Sequence, residues 1–361
     1  MLKQLQHYSD IFFKEHVHFV GSGSTALFIF IKHNKVENKK ILCPSNICYS
    51  IPYAILASKN TPLFYDIDPI SGNPDYKSIK KTIKNNNNIF AAIIPHMYGN
   101  PVANRGKIGL TCRKNSIKII DDCAASIGMK DINDYIKDES DAVIFSFATN
   151  KHIDLGKGGI LAMNEKIDLN LYDKYIENDF SMHKTKIEML DKMYKPIFYS
   201  DYYFNLIGKL SSFNNFFENS FIYKFKPDKI YLKKMFYQLD ELKSNIQYRQ
   251  ETIKYINDRL DYNQEYIEQY IFNKGSNPWR FNILIINKRT RMLLIAKMLK
   301  NALPVSIWYP PVDPIYGYEI PKNSKKFSKK ILNFDFINAS RNQINVFIDI
   351  INKFNKDEAS L

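Results

Sequence analysis

A single lysine, Lys151, stands in a stretch whose residue types could carry chemistry. The stretch reads FSFATNKHIDLGKGG (145–159): a strand-like aromatic run ends in a polar turn that presents the lysine and then runs into glycines. A lysine that forms a Schiff base needs a partly desolvated pocket in which its pKa is lowered, and a strand end over a sheet can provide one. Lys151 is therefore predicted to be a reactive amine.

A second candidate site opens the first strongly apolar helical pattern, in VGSGSTALFIF (20–30). Gly23 allows the backbone to turn tightly. Ser24 and Thr25 would place N–H groups and hydroxyls at a helix N-terminus, where the helix dipole favours an anion such as phosphate. Serine and threonine are also ordinary helix caps, so this segment alone fits either interpretation.

A third signal is IKIIDDCAASIG (117–128), where a buried strand pattern ends in two carboxylates. Carboxylates in such a place are costly unless a positive group meets them. One interpretation is a helix N-cap, and the other is that Asp122 faces a cationic ring nitrogen such as a pyridinium. A phosphate cradle, an aspartate and a lysine, each at a strand end, are together the protein parts of pyridoxal phosphate chemistry.

The elements that must position these residues follow an alternating pattern. Helical patterns separate several short β-branched runs, which predicts a mostly parallel sheet with helices on both faces. Ligands bind beyond the carboxyl ends of the strands in such sheets. The predicted strands are VHFVG, KKILCP, TPLFYDI, IFAAIIP, IKIIDD, DAVIFSF and GGILAM.

The alternation stops near residue 163, and the rest of the chain is organised differently. Residues 165–225 are rich in Tyr, Phe and Met and are interpreted as helices and extended loops. One long helix is predicted over 229–260, followed by the strands RFNILII and PVSIWYP, a helix between them and a last helix near 338–353. We therefore predict a large α/β domain over 1–228, with an insertion near 165–225, and a small α+β domain over 229–361.

Composition bounds the classes of function. The 361 residues carry a formal net charge of +14, but the lysines are spread through Asn/Lys-rich loops rather than gathered in one stripe. This favours a solvated surface, and after it an anionic small substrate or a membrane-surface partner, over nucleic acid. The four cysteines form no CxxC pair, and neither a membrane-length apolar run nor a signal-peptide core is present. A cytoplasmic protein without a metal site is expected.

The ordered motifs make the chain similar to the DegT/DnrJ/EryC1/StrS family of sugar aminotransferases. The resemblance implies an α/β fold of the fold-type I class, which binds pyridoxal 5'-phosphate. It runs along nearly the whole chain, and FSFATNKHIDLGKGG aligns without a gap with the family segment that carries the Schiff-base lysine. The other matching segments are SGSTAL, PLFYDIDPISGNPD, IIPHMYGNP, IIDDCAASIG, QLDELKSNIQYRQE and VSIWYPPVDPIYG.

The resemblance implies a role for individual residues. Lys151 would carry the cofactor and, once freed, move protons between the donor and the cofactor as a general base. Asp122 would pair with the pyridine nitrogen. The cofactor phosphate would be held by Gly23, Ser24, Thr25 and Ser146.

Three further cofactor-binding positions depart from the family pattern. Cys48 stands where an aromatic residue stacks on the ring, and Ala125 replaces a glutamine that approaches the ring oxygen. Lys224 falls where an asparagine of the partner subunit reaches the phosphate, and a lysine there could meet it as a point charge. The histidine of the family's YPPLH segment is absent, with VDP in its place. Cofactor binding is therefore expected to differ from that of the family at these positions.

The expected function is transamination by a homodimer with shared active sites. The substrates would be a nucleotide-linked keto sugar and glutamate, and the product an amino sugar for a surface polysaccharide such as the O-antigen of lipopolysaccharide. Two alternatives stay open: a non-catalytic binding or regulatory protein on the same fold, and a sugar dehydratase. Dehydratases of this family carry histidine at the lysine position, but the alignment places Lys151 there and His152 one residue further on.

Overall fold

All seven strands predicted in the first half of the chain pair into one sheet in the computed structural model. The structure describes residues 2–131, 133–176, 184–189, 192, 220–262 and 265–358. The strands are β1 (His16–Val20), β2 (Lys40–Pro44), β3 (Thr61–Tyr65), β4 (Ile89–Pro95), β5 (Lys118–Asp122), β6 (Ala142–Ser146) and β7 (Gly159–Met163).

The direction of the strands determines where the candidate residues meet. The order is β1-β7-β6-β5-β4-β2-β3, with β7 antiparallel to both its neighbours and the other neighbouring pairs parallel. The carboxyl ends of β1, β2, β5 and β6 therefore lie at one edge of the sheet, together with the start of β7. The segments that carry Gly23, Cys48, Asp122 and Lys151 all leave the sheet at this edge.

Helices cover both faces of the sheet. The second helix is apolar on all sides and buried from Gly23 to Ile31, as expected of a helix enclosed between the sheet and the rest of the protein. The fourth buries only Ile79 and Ile83 and turns its lysines to solvent. Helices of this half are α1 (Ser9–Phe12), α2 (Gly23–His33), α3 (Ser50–Ala57), α4 (Tyr76–Lys84), α5 (Arg105–Lys114) and α6 (Tyr135–Glu139).

The second half of the chain forms a small α+β unit, as predicted. The expected long helix is divided at the turn residue Glu241 (φ −79°, ψ 0°) into α7 (Lys229–Asp240) and α8 (Leu242–Asn257). The elements that follow are β8 (Ile267–Gln269), β9 (Phe281–Ile285), α9 (Lys288–Lys300), β10 (Val305–Ser306), α10 (Lys322–Ser328), β11 (Ile331–Phe334) and α11 (Arg341–Glu358). The four strands form an antiparallel sheet of order β10-β11-β9-β8.

One predicted strand is shorter in the structure than expected, and one predicted region lies mostly outside the described residues. The strand expected over PVSIWYP consists of only the two residues of β10, and residues 307–312 continue as an irregular segment. Most of the insertion near 165–225 lies outside the described residues, and the domain boundary at residue 228 stays a prediction. Within the part of the chain that the structure describes, no helix is long and apolar enough to cross a membrane.

Candidate active site

The two aspartates at the end of β5 point to opposite faces of the sheet, as consecutive strand residues must. Asp121 belongs to a buried network: Arg105 donates to both its carboxylate oxygens at 2.8 and 2.7 Å, and His96 Nε2 lies 2.9 Å from Oδ1. Burial alone would raise the pKa of Asp121, but Arg105 and His96 outweigh it and hold the pKa well below its usual range. Asp121 therefore has a structural role as the buried ion-pair partner of Arg105.

Asp122 lies on the other face, near Lys151. Its Oδ1 accepts a hydrogen bond from the Ala124 amide at 2.9 Å. Burial raises the pKa of Asp122, against the opposing effects of that hydrogen bond and of the nearby Lys151 charge. The site therefore holds a buried carboxyl group whose ionised form would be stabilised by a further positive partner.

Lys151 is partly buried at the same edge. Its Nζ lies 5.2 Å from the centre of the Trp279 ring, and the Tyr309 side chain hydrogen-bonds it. Burial would lower the pKa of Lys151, but the nearby Tyr309, Cys48 and Asp122 side chains raise it above the usual value. The lowered pKa expected from the sequence is therefore not found, because these neighbours favour the charged amine more than burial opposes it.

The loop that carries Lys151 is closed by Asp154. The Asp154 carboxylate accepts from the amides of Asn150 at 2.8 Å and Gly156 at 3.1 Å. Gln238 of α7 clasps the backbone of Asp154 from outside, accepting from its amide at 3.0 Å and donating to its carbonyl at 3.3 Å. The indole N–H of Trp279 donates to the Asn150 carbonyl. The carboxylate nearest Lys151 in sequence thus shapes the loop.

Arg249 of α8 fixes the segment that bears Trp279. Its Nη1 donates to the carbonyls of Pro278 and Trp279 at 3.1 and 3.3 Å, and its Nε donates to Asn245 at 2.6 Å. Gln238 and Arg249 are the first and last polar residues of the QLDELKSNIQYR motif. The motif therefore holds two walls of the site, the lysine loop and the indole, in place.

The expected phosphate cradle is assembled around the start of α2. A Cβ built on Gly23 would lie 3.4 Å from the Ser146 Cβ, so the helix start and the end of β6 are adjacent. A Cβ on Gly159 would lie 2.6 Å from the Ser22 carbonyl carbon and 2.7 Å from the Gly23 amide. Glycine is therefore required at 159 for this close approach, and Ser24 is buried within the same turn.

The hydroxyl of Thr25 is engaged elsewhere. It lies 3.3 Å from the Phe221 carbonyl, as a donor, and accepts from the Tyr223 amide at 3.3 Å. Ser22, which caps α2, also donates to Phe221 at 2.9 Å. The Thr25 hydroxyl would have to leave segment 221–223 in order to bind a phosphate, whereas its backbone amide is already capped by Ser22.

The three departures from the family pattern lie in different surroundings. Cys48 has Lys151 and Asp122 as electrostatic neighbours, and burial raises the pKa of its thiol. Cys48 and Ala125 both pack against the apolar cluster that includes Trp279 and Tyr309. Lys224 instead forms an ion pair of 3.2 Å with Asp173. The structure thus brings Cys48, Asp122, Ala125 and Lys151 together and places Lys224 in a separate contact.

Sequence reasoning missed two residues of the site. Tyr309 stands in the quoted YPP segment but was not assigned a role, and its ring stacks on Trp279 with centroids 5.9 Å apart. No spacing or motif singled out Trp279. A Trp beside a strand end reads as an ordinary core residue, and its contact with Lys151 depends on the fold of the second half of the chain.

The residues present fit pyridoxal phosphate. The start of α2 at Gly23 and the end of β6 at Ser146 are adjacent and can bind a phosphate. Asp122 can pair with a cationic ring nitrogen, and Lys151 provides an amine at the same edge of the sheet. Among the described residues, no group of three or more His, Cys, Asp or Glu side chains could hold a metal ion.

The amino-acid sequence is similar to one protein family over most of its length and to curated relatives over a shorter part. Residues 3–337 match the family model described as the DegT/DnrJ/EryC1/StrS aminotransferase family. The chain is 28% identical over 156 residues to the GDP-perosamine synthase of Escherichia coli O157:H7, covering 43% of this chain and 41% of that protein. It is 26% identical over 148 residues to the pleiotropic regulatory protein of Geobacillus stearothermophilus, covering 40% and 39%. The chain spans about two fifths of the length of the curated relatives it matches.

Solved structures share the fold over a larger part of the chain. A DegT DnrJ EryC1 StrS aminotransferase from Brucella abortus superposes with a TM-score of 0.72 at 18% identity, covering 98% of this chain and 90% of that one.

Proposed function

Because this chain belongs to the DegT/DnrJ/EryC1/StrS aminotransferase family, we propose that it is a pyridoxal phosphate-dependent aminotransferase. It converts a nucleotide-linked keto sugar to an amino sugar, with glutamate as the amino donor. The observation that carries this proposal is the placement of Lys151, half-buried at the carboxyl edge of the sheet, with Asp122, Cys48 and Tyr309 around its amine.

Each residue of the site has a defined task in this reaction. When bound, the cofactor supplies an electron sink for bond breaking at the α-carbon of the donor. Lys151 Nζ would take the proton from that carbon and return it to the C4' carbon of the cofactor, and Asp122 would hold a proton on the ring nitrogen. Gly23, Ser24 and Ser146 hold the phosphate, with the Thr25 hydroxyl joining them once released from segment 221–223. Tyr309 and Trp279 orient the amine and exclude water from it.

The keto sugar is proposed to carry a nucleoside diphosphate. The formal net charge of +14 suits such an anionic substrate. The GDP-perosamine synthase of E. coli O157:H7 and the dTDP-4-amino-4,6-dideoxy-D-glucose transaminase of Shigella dysenteriae are both named for nucleotide-linked amino sugars. The protein is proposed to act in the cytoplasm, as a homodimer, in the synthesis of a surface polysaccharide such as O-antigen.

A binding or regulatory role is the second candidate. One relative is named a pleiotropic regulatory protein, and here the Thr25 hydroxyl is bonded to segment 221–223. Dehydration is less well supported than transamination. His152 is buried, its Nε2 lies 2.9 Å from the Asn277 carbonyl, and burial sets its pKa well below the usual value.

The test begins with cofactor binding by the purified protein. Pyridoxal phosphate is added, the visible absorption spectrum is recorded, and borohydride reduction is followed by mass spectrometry of the peptides. We expect a visible band and a label on Lys151, both absent from Lys151→Ala. Lys157→Ala, which alters a lysine of the same loop, is the matched control and should keep both.

Amine transfer is then measured with glutamate and a set of nucleotide-linked keto sugars. Formation of an amino sugar, dependent on Lys151, supports the aminotransferase. Absence of both band and label would contradict it and favour the regulatory role.

A further inference from the structure

Arg280, the residue after Trp279, is a buried cation whose hydrogen-bonding capacity is not filled. Its side chain is 8% exposed. Nη1 donates to the Ser306 hydroxyl, and Nη2 lies 3.9 Å from the nearer Asp335 oxygen, at the outer limit of an ion pair. Among the described residues, the Nε of Arg280 has no hydrogen-bond acceptor. A buried guanidinium in this state favours an additional anion.

The other buried arginines near the site differ in this respect. Arg105 makes a two-pronged contact with Asp121, with oxygens at 2.8 and 2.7 Å. Arg249 uses both Nε and Nη1 on neutral acceptors of neighbouring segments. Each of them has an evident structural partner. Arg280 keeps its Nε unused and its nearest carboxylate at the limit of contact, although burial lowers the pKa of its guanidinium.

Arg280 is also close to the reactive lysine. Its Cζ lies 4.3 Å from the centre of the Trp279 ring, and Lys151 Nζ lies 5.2 Å from the same centre. The separation of the two cations cannot exceed the sum of these distances. Tyr309, which hydrogen-bonds Lys151, stacks on the same indole and is an electrostatic neighbour of Arg280.

We propose that Arg280 is a binding residue for a carboxylate of the amino donor, with Asp335 as the internal anion that competes for it. This inference rests on the proposed aminotransferase function and deepens it. The planar guanidinium fork matches a carboxylate with two parallel hydrogen bonds, which a lysine cannot reproduce. The donor enters as a carboxylate-bearing molecule, and its amino group must reach Lys151 while that carboxylate lies on Arg280.

The geometry favours a carboxylate at Arg280 over the cofactor phosphate and over the diphosphate of the sugar substrate. The cofactor phosphate is expected at the start of α2, next to Gly23 and Ser146. In a nucleotide-linked sugar, the sugar ring separates the diphosphate from the carbon that reacts at Lys151. A donor's α-carboxylate, by contrast, is bonded directly to the carbon that Lys151 deprotonates, so its binding group must lie near the lysine.

The test measures binding of glutarate, a dicarboxylate that lacks the amino group and cannot react. Protein saturated with pyridoxal phosphate is titrated with glutarate by calorimetry. Arg280→Met should weaken binding about tenfold to a hundredfold, as expected for loss of hydrogen bonds to a charged group. Arg280→Lys should weaken it less, and Asp335→Asn should tighten it. Arg289→Met, which removes one charge from an exposed position of α9, is the matched control and should bind like wild type.

Folding and the identity of the anion are checked in the same series. Thermal melts show whether Arg280→Met is folded, and if it is not, Arg280→Lys and Asp335→Asn decide the question through their opposite shifts. Equal glutarate binding by wild type and the folded Arg280 variants would overturn the proposal. Inorganic phosphate that displaces glutarate from wild type and binds more tightly than it does would also overturn it, because Arg280 would then be a phosphate site.

The proposed function and this inference fail in different ways. If wild type converts no bound cofactor to the aminated form with glutamate, the aminotransferase function fails. If wild type performs this conversion and glutarate binding does not depend on Arg280, only the carboxylate site fails.

Discussion

At the scale of the residue, the adjacent aspartates of β5 have opposite electrostatic settings. Asp121 meets Arg105 and His96, which hold its pKa down, whereas burial raises the pKa of Asp122. The sequence showed two carboxylates at a strand end and selected Asp122, because the family motif placed it there. It could not show that Asp121 is paired, since Arg105 belongs to a helix whose packing is set by the tertiary fold.

Neutralising these two aspartates should therefore have unequal effects on stability. Asp121→Asn removes the fully buried counter-ion of Arg105 and leaves only Glu139, 3.3 Å from Nη1, to balance its charge, so we expect the free energy of unfolding to fall by about 3 kcal/mol. Asp122→Asn removes a charge that burial disfavours, so the free energy of unfolding should stay the same or rise at pH 7. Urea unfolding at pH 7 measures both, and equal losses in the two variants would contradict the assignment.

Asp313 is a third buried carboxyl with a predicted effect on stability. Its Oδ2 accepts from the Ser45 hydroxyl, its Oδ1 has no hydrogen-bond partner among the described residues, and burial raises its pKa to about 7. A folded-state pKa above the usual 3.8 means that the folded state holds the proton more tightly. The stabilisation is present below the unfolded value and is lost as pH rises toward and through about 7.

The comparison is between wild type and Asp313→Asn, which keeps the shape and stays neutral. Between pH 5 and pH 8 the free energy of unfolding of wild type should fall by about 2–3 kcal/mol relative to the variant. Chemical unfolding at several pH values gives the difference. A constant difference across this range would show that Asp313 does not change its protonation on folding in this window.

At the scale of the element, α7 and α8 act as clamps on the site. Gln238 holds the lysine loop through the backbone of Asp154, and Arg249 holds the backbone around Trp279. The motif was visible in the sequence as part of the family resemblance, but its task was not. A helix motif shows which residues share a face, and the loops that meet this face come from distant parts of the chain.

Loss of the Gln238 clamp should loosen the lysine loop without unfolding the protein. Two hydrogen bonds are removed in Gln238→Ala, each with a net value of about 1 kcal/mol, so cofactor affinity should fall by up to about thirtyfold. Gln247→Ala is the matched control, because Gln247 bonds Glu251 on the exposed side of α8. Absorbance titration with pyridoxal phosphate compares the two variants. Equal cofactor affinity in both would show that the hydrogen bonds of Gln238 to Asp154 do not support cofactor binding.

The elements themselves were predicted unequally. The seven strands of the large sheet were correct because long β-branched runs alternate with helical patterns and end in turn residues. The small sheet was less visible: β8 has three residues and β10 two. In β11 the buried Asn333 interrupts the apolar run, since its side chain accepts from the Trp308 amide and donates to Asn282. A strand is not recognised from its apolar pattern when it contains a buried polar residue whose hydrogen bonds are supplied only by tertiary contacts.

At the scale of the whole molecule, the proposed homodimer gives Lys224 a second partner. Within one chain Lys224 pairs with Asp173, but their side chains are 42% and 56% exposed. Such a pair contributes only about 0–1 kcal/mol, because water screens both charges. The lysine can therefore leave Asp173 at little cost when a stronger anion is present. In a dimer with shared sites, that anion is the phosphate bound by the partner subunit.

Lys224→Ala should consequently change cofactor binding more than stability. We expect the free energy of unfolding to change by less than about 1 kcal/mol. Pyridoxal phosphate should bind more weakly, with an affinity that depends less on salt concentration than in wild type. Asp173→Asn is the matched control: it breaks the same ion pair but frees Lys224, so cofactor affinity should be equal or higher. Sedimentation at the same concentrations reports the oligomeric state, and a monomer, or equal losses of affinity in both variants, would exclude a shared phosphate site at Lys224.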